Sequence, residues 1–278
     1  MEEVSEYGRS RPAPVLRRFV SGYTGYRLVG PPGLHQGLPS AHLTLVVCLS
    51  GTVDVVSMPD RTRPPVSLSS MVAGLHDAPA VLSHDGHQYG VQLDLTWRGA
   101  RALLGAPAGE FAGDVVDLRS LLGRRAEELA ARLAGAPGWR QRFGVLDHVL
   151  AGLIDDRHAE PPAEVAQAWW RLEKTGGRLP VGELARELGW SRRHLGERFR
   201  REVGLPPKTA ARVIRFERVC RRLRSAARPP LAEVAVECGY FDQAHLAREF
   251  RDLAGITATR WLAELPSVQD HGSQREPG

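Results

Sequence analysis

The 278 residues predict a two-domain α+β chain, a strand-rich first half followed by an all-helical C-terminal third. Three observations carry this. Residues 15–95 alternate short β-rich runs with turn residues, the apolar period lengthens to three and four beyond residue 100, and one helical motif occurs twice near the end, at Glu183–Phe199 and at Glu233–Phe250.

In the first half, Leu43–Leu49, Thr52–Met58 and Tyr89–Leu95 read as strands. Turns at Gly30-Pro31-Pro32-Gly33, Ser50-Gly51, Pro59-Asp60, Pro64-Pro65 and Asp85-Gly86 punctuate them. Short strands at such spacing predict a small β-barrel or sandwich. Ala100–Leu104, Leu118–Ala134 and Trp139–Ile154 then read as helices, and Asp155–Ala163, with Pro161-Pro162, as a linker. Leu118, Leu121, Leu122, Leu129 and Leu133 either pack on the sheet or form a dimer seam, and packing is the preferred reading.

His76, His84 and His87, with Asp77 and Asp85, form the one cluster in this half that hints at chemistry. His84 and His87 flank the Asp85-Gly86 turn, so surface histidines at a hairpin tip are preferred over a metal or ligand role, and neither metal nor cofactor is assigned. Trp97, Trp139 and the pair Trp169-Trp170 read as core or interface, with one of the pair buried.

Composition bounds the function. At 42% hydrophobic and 25% charged the chain can build cores. Its net charge of +5 is unevenly divided: residues 1–163 carry sixteen basic and seventeen acidic side chains, and 164–278 carry twenty-one and fifteen. Cys48, Cys220 and Cys238 show no CxxC spacing, which argues against a disulfide framework or zinc finger. The polar start lacks a signal-peptide pattern and the longest apolar run, Leu43–Leu49, is too short to span a bilayer. A cytoplasmic location without membrane contact is expected.

The repeated motif is Glu183-Leu184-Ala185, Leu188-Gly189-Trp190-Ser191, Leu195 and Phe199, then Glu233-Val234-Ala235, Cys238-Gly239-Tyr240-Phe241-Asp242, Leu246 and Phe250. The small Ala lets two helices cross closely, the Gly takes a left-handed turn, and Ser191 or Asp242 caps the second helix. The second copy has one extra residue before its second helix. This is helix-turn-helix chemistry used twice. From Arg186 to Arg228, fourteen Arg or Lys face four acids, the field that phosphate neutralisation requires. Pro206-Pro207 opens a connecting helix expected to run from Lys208 to about Ala227, with Val213, Phe216, Val219 and Leu223 on its inner face. Such a helix spans about 30 Å, close to the roughly 34 Å between successive major-groove faces of B-DNA.

Residues 164–265 thus resemble the DNA-binding domain of AraC/XylS-type transcriptional regulators, on LAxxLGxS with LxxxF at 184–199, Gly204, Arg215, VAxxCGYxDxxxLxxxF at 234–250, and Gly255. Ala258 stands where that family commonly has Pro, and its aromatic-Arg ending appears as Arg260-Trp261. The resemblance implies a regulatory or dimerising domain at 1–160, with a cupin-like β-barrel followed by helices. A disordered tail is expected at 266–278. The implied partners are double-stranded DNA, an unknown small-molecule effector, RNA polymerase and a second copy of the chain; the implied activity is transcription regulation without catalysis.

Side chains near the N-terminus of each second helix would read base edges. In the first unit these are Arg192, Arg193, Gly196, Glu197 and Arg200, and in the second Gln243, Ala244, His245 and Arg248. Arg193 suits guanine, Glu197 cytosine, Gln243 adenine and Ala244 a thymine methyl, with Arg192 and Arg200 on phosphates. Intrahelical pairing with Glu197 or Glu202 is the competing role for these arginines. Two other classes stay open: an effector-independent architectural binder, and an enzyme tethered to nucleic acid, for which Cys48 is a poor nucleophile candidate.

Overall fold

The computed structural model describes residues 4–155, 160–225, 227 and 229–264. Strands β1 (Val4–Ser10), β2 (Val20–Val29), β3 (Gly33–Gly37), β4 (Leu43–Ser50), β5 (Val53–Ser57), β6 (Val66–Leu68), β7 (Ser70–Ala73), β8 (Ala80–His84), β9 (His87–Leu95) and β10 (Val115–Asp117) build the first half. They pair antiparallel in a six-stranded sheet, β1-β2-β9-β4-β7-β10, and a four-stranded sheet, β3-β8-β5-β6. Among the described residues no strand pairing joins the two sheets into a ring.

The apolar run at β4 is continuous because the large sheet is covered on both faces. Leu43, Leu45 and Val47 enter the core beneath the helices, with Val91, Leu93 and Leu95 of β9. Val46 and Met71 point the other way, to a second core shared with Val55 and Leu82 of the small sheet. Two glycines seat a helix on this sheet. Gly8 and Gly25 face each other across β1 and β2, and a Cβ at either would overlap the indole of Trp139. Trp139 donates its Nε1–H to Glu6 at 2.8 Å and stacks on Phe143.

The helices are α1 (Trp97–Leu104), α2 (Leu118–Leu122), α3 (Arg124–Gly135), α4 (Trp139–Ala151), α5 (Ala163–Lys174), α6 (Val181–Glu187), α7 (Arg192–Val203), α8 (Pro207–Leu223), α9 (Leu231–Glu237), α10 (Gln243–Ala254) and α11 (Ala258–Glu264). The expected helix 118–134 is broken at Gly123, whose φ of +55° lies in the left-handed region. Leu118, Leu129 and Leu133 are buried in the chain's own core, with the half-buried Leu121 and Leu122 packed against it, the packing arrangement preferred from the sequence. The connector α8 ends at Leu223, short of Ala227; its 17 residues span about 25 Å. Pro206 and Pro207 open it as expected, because a proline at the first helical position loses no hydrogen bond. Val213, Phe216, Val219 and Leu223 are buried.

Asp85-Gly86 does not close a hairpin: β8 belongs to the small sheet and β9 to the large one, and the turn carries the chain between them. Only His87 of the three histidines is at the surface. His84 is half-buried beside His35, with ring centroids 5.8 Å apart, and His76 is half-buried as well, its Nδ1 2.6 Å from the Ala78 carbonyl oxygen. Among the described residues no group of three or more His, Cys, Asp or Glu is arranged to hold a metal ion. Most of the expected linker and the 266–278 tail lie outside the described residues.

The hydrophobic cores do not follow the linker. One core runs from the large sheet through α1 into α5, α6, α7 and the first half of α8, joined by Trp97, Trp169 and Phe199 with centroids 6.1 Å apart at each step. The second half of α8, with α9, α10 and α11, has its own core around Phe216, Phe250 and Trp261. The first helical unit is thus built onto the sheet domain's core, and the second has a core of its own that the sheet half touches through Leu38.

Candidate nucleic-acid interface

The two units are the same device. In each, a glycine takes positive φ after the first helix (Gly189 +66°, Gly239 +82°), and the next amide returns to the alanine carbonyl: Trp190 to Ala185 at 2.9 Å, Tyr240 to Ala235 at 2.8 Å. Each second helix opens on a side-chain cap. Ser191 Oγ accepts the His194 amide at 3.1 Å, and Asp242 Oδ1 accepts the His245 amide at 2.7 Å. Each closes on a left-handed glycine, Gly204 or Gly255. Leu195, Phe199, Leu246 and Phe250 are buried, which turns the opposite face of α7 and α10 to solvent. The aromatic of each turn meets the histidine of the first helical turn edge-on, Trp190 with His194 at 4.6 Å and Tyr240 with His245 at 5.2 Å.

Arg192, Arg193, Glu197 and Arg200 are exposed on α7 and Gln243, Ala244 and Arg248 on α10, with Gly196 and His245 half-buried. Arg193 Nε donates to Glu197 Oε1 at 2.8 Å, the intrahelical pair that competes with base contact. Arg192 folds back over Gly182 of α6. Glu202 does not pair within its helix. It is buried and accepts from Arg101 of α1 at 2.7 Å, tying the end of α7 to the first half.

Arg215 locks the second unit to the first. Its Nη1 donates to the Gly177 carbonyl at 2.9 Å and its Nη2 to Glu249 at 3.2 Å, while Arg212 Nε and the Tyr240 hydroxyl reach the same carboxylate at 3.1 and 2.9 Å. Glu249 is 9% exposed, and burial together with its charge pushes the Tyr240 hydroxyl far up, so Tyr240 stays a donor. Arg215 belongs to the sequence motif, whereas Glu249, between Arg248 and Phe250, carries no local signal, because its partners are 34 and 37 residues away.

A cleft of about 500 Å³ lies between the large sheet and α8. Glu217 of α8 accepts the Ala41 amide at 3.0 Å, with Arg221 at 3.5 Å and His42 at 3.9 Å. At its floor the Asp94 carboxyl is pushed up by burial, opposed by His42 and the Gln92 amide and assisted by the Glu217 charge. Trp170, 55% exposed, lines the rim, while its neighbour Trp169 is the buried member of the pair. No signal in the sequence links β4, β9 and α8, the elements that line the cleft.

Residues 184–264 match the family model described as a helix-turn-helix domain, of the AraC type. No curated protein matches the chain. Among solved structures, ToxT from Vibrio cholerae is similar over 96% of this chain and 100% of its own at 9% identity, TM-score 0.54. Unsaturated-fatty-acid-bound ToxT from the same organism is similar over 95% of each chain at 9% identity, TM-score 0.53. At such identity the likeness is one of fold. It extends through the sheet-rich half as well as the helical one. No described helix is long and apolar enough to cross a membrane.

Proposed function

We propose, from the premise that residues 184–264 form an AraC-type helix-turn-helix domain, that this chain is a sequence-specific DNA-binding transcription regulator whose first half receives an effector. The observation that carries the reading is the repeat itself: two units with a left-handed glycine turn, one residue longer in the second, a side-chain cap opening the second helix and an exposed face on that helix. Arg193, Arg248 and their exposed neighbours are the readout set, acting in the major groove, with the surrounding arginines on phosphates.

The two-sheet half serves as the cupin-like sensing module, and the cleft beside α8 is its effector site. A ligand there would touch the large sheet and the connector together. Since the first unit shares the sheet's core and the second does not, ligation shifts the second unit relative to the first and changes the population able to engage both half-sites. The ToxT solved with an unsaturated fatty acid makes that class the first probe. Arg218 and Arg221 are there to receive a carboxylate.

Catalysis is not part of this reading. Burial pushes the Cys48 thiol up to about 11, the wrong direction for a nucleophile, and Cys238 is raised as well. The chain works in the bacterial cytoplasm, alone or as a dimer, beside RNA polymerase. Selection from random duplexes tests the reading: the intact chain enriches one bipartite sequence, with affinity falling steeply with salt. Retention of all sequences equally would overturn specific regulation.

A further inference from the structure

Phe241 is 89% exposed, whereas Phe199, Phe216 and Phe250 are at 1% or less. It is also the residue by which the two units differ. In the first, Trp190 leads directly to the cap Ser191; in the second, Phe241 stands between Tyr240 and the cap Asp242. Tyr240 already fills the place of Trp190, buried and edge-on to its histidine, so Phe241 is not needed by the turn's own packing. Its position is nonetheless fixed. Its amide donates to His245 Nδ1 at 3.4 Å, and the next residue caps α10. The setting is cationic and polar: Gln243 follows the cap, Arg248 shares the exposed face of α10, and Arg178 lies against Gly239. An apolar ring in such a field suits a polyanion that carries occasional methyl groups.

Resting on the DNA-binding reading above, we propose that Phe241 is a specificity-determining residue whose ring packs on the C5-methyl group of a thymine in the half-site read by the second unit. Apolar side chains recognise thymine in this way, and the first unit, lacking the inserted residue, has no counterpart. The half-sites are then unequal: one carries a thymine requirement that no hydrogen bond imposes.

The test uses the duplex selected by the intact chain. Each thymine is replaced in turn by uracil, which removes only the methyl, and affinity is measured for the wild type, Phe241→Ala and Phe241→Leu. One uracil in the second half-site should weaken the wild type about tenfold and leave Phe241→Ala unchanged. Phe241→Ala should lose about the same factor on the parent duplex, and Phe241→Leu should retain most of the affinity. Because the ring is exposed, all three proteins should unfold at the same temperature. Equal binding by Phe241→Ala overturns the proposal, and so does an identical uracil profile in wild type and Phe241→Ala. Val236, 70% exposed on α9, separates a protein-facing patch. If Phe241→Ala and Val236→Ser leave DNA affinity intact yet both impair transcription, the ring faces a protein. A wild type that selects no sequence removes the DNA reading and this inference together.

Discussion

Glu249 is where the structure concentrates the integrity of the second unit. Its carboxylate, 9% exposed, is shared by Arg212 and Arg215, whose side chains are 29% and 18% exposed, and by the Tyr240 hydroxyl. Hydrogen bonds to charged groups contribute roughly 1.5–3 kcal/mol each. They are not additive in one network, and removing the common partner of a buried pair costs about 3–5 kcal/mol. Glu249→Ala should therefore lose about 3–5 kcal/mol, and Glu249→Gln, which keeps shape and an acceptor for Tyr240, about half of that. For a unit of this size each kcal/mol shifts the midpoint by roughly 4–8 °C. Since the second unit has its own core, the loss should be local: α9 and α10 should exchange amide hydrogens early while α6 and α7 stay protected. Urea unfolding followed by far-ultraviolet circular dichroism, with hydrogen exchange by segment, reads both effects. Stability of Glu249→Ala within about 0.5 kcal/mol of wild type, or simultaneous deprotection of both units, would refute the reasoning.

Three further outcomes follow from the packing and charge. Gly25→Ala should destabilise by at least about 1–3 kcal/mol, because its Cβ overlaps Trp139; an unchanged melting temperature would mean that α4 is not seated there. Trp169→Ala should cost about 3–5 kcal/mol and expose the end of α7 to proteolysis, since this ring joins Trp97 to Phe199; resistance equal to wild type would contradict a shared core. Asp94 has its carboxyl raised in the folded state, so folding binds its proton more tightly: it favours the fold at low pH and penalises it as pH rises above the ordinary carboxylate value. Asp94→Asn should accordingly gain stability relative to wild type at pH 8 and lose that advantage at pH 4; an advantage independent of pH would rule out this titration.

The helical third was legible because its signals are local. Ala185, Gly189 and Ser191 fix a turn and cap within seven residues, and the second copy repeats them at 235–242. The expected connector overruns because Leu223 to Ala227 continues an apolar and arginine pattern that periodicity does not stop; the helix ends at Leu223, and the guanidinium of its C-cap Arg224 lies over the ring of Trp261, a residue far along the chain. Three strands, β4, β5 and β9, are legible in the sequence, but the partition of the strands into two sheets is not, since Asp85-Gly86 reads alike in a hairpin and in a crossover. Glu202, Glu217 and Glu249 carry no local mark in the sequence that separates them from surface charges on amphipathic helices. Their burial depends on Arg101, on the Ala41 amide and on Arg215, contacts that no spacing rule anticipates. Phe241 was visible as an extra residue, yet only its exposure separates it from the core aromatics on either side.

Hydroxyl-radical footprinting of the selected duplex with wild type, Arg193→Ala and Arg248→Ala tests the central claim most directly. Two protected patches one helical turn apart on the same face of the duplex are expected, the Arg193→Ala protein losing one and the Arg248→Ala protein losing the other, with folding intact in both. A single protected patch, or two patches that survive both substitutions, would contradict the assignment of α7 and α10 as paired recognition helices.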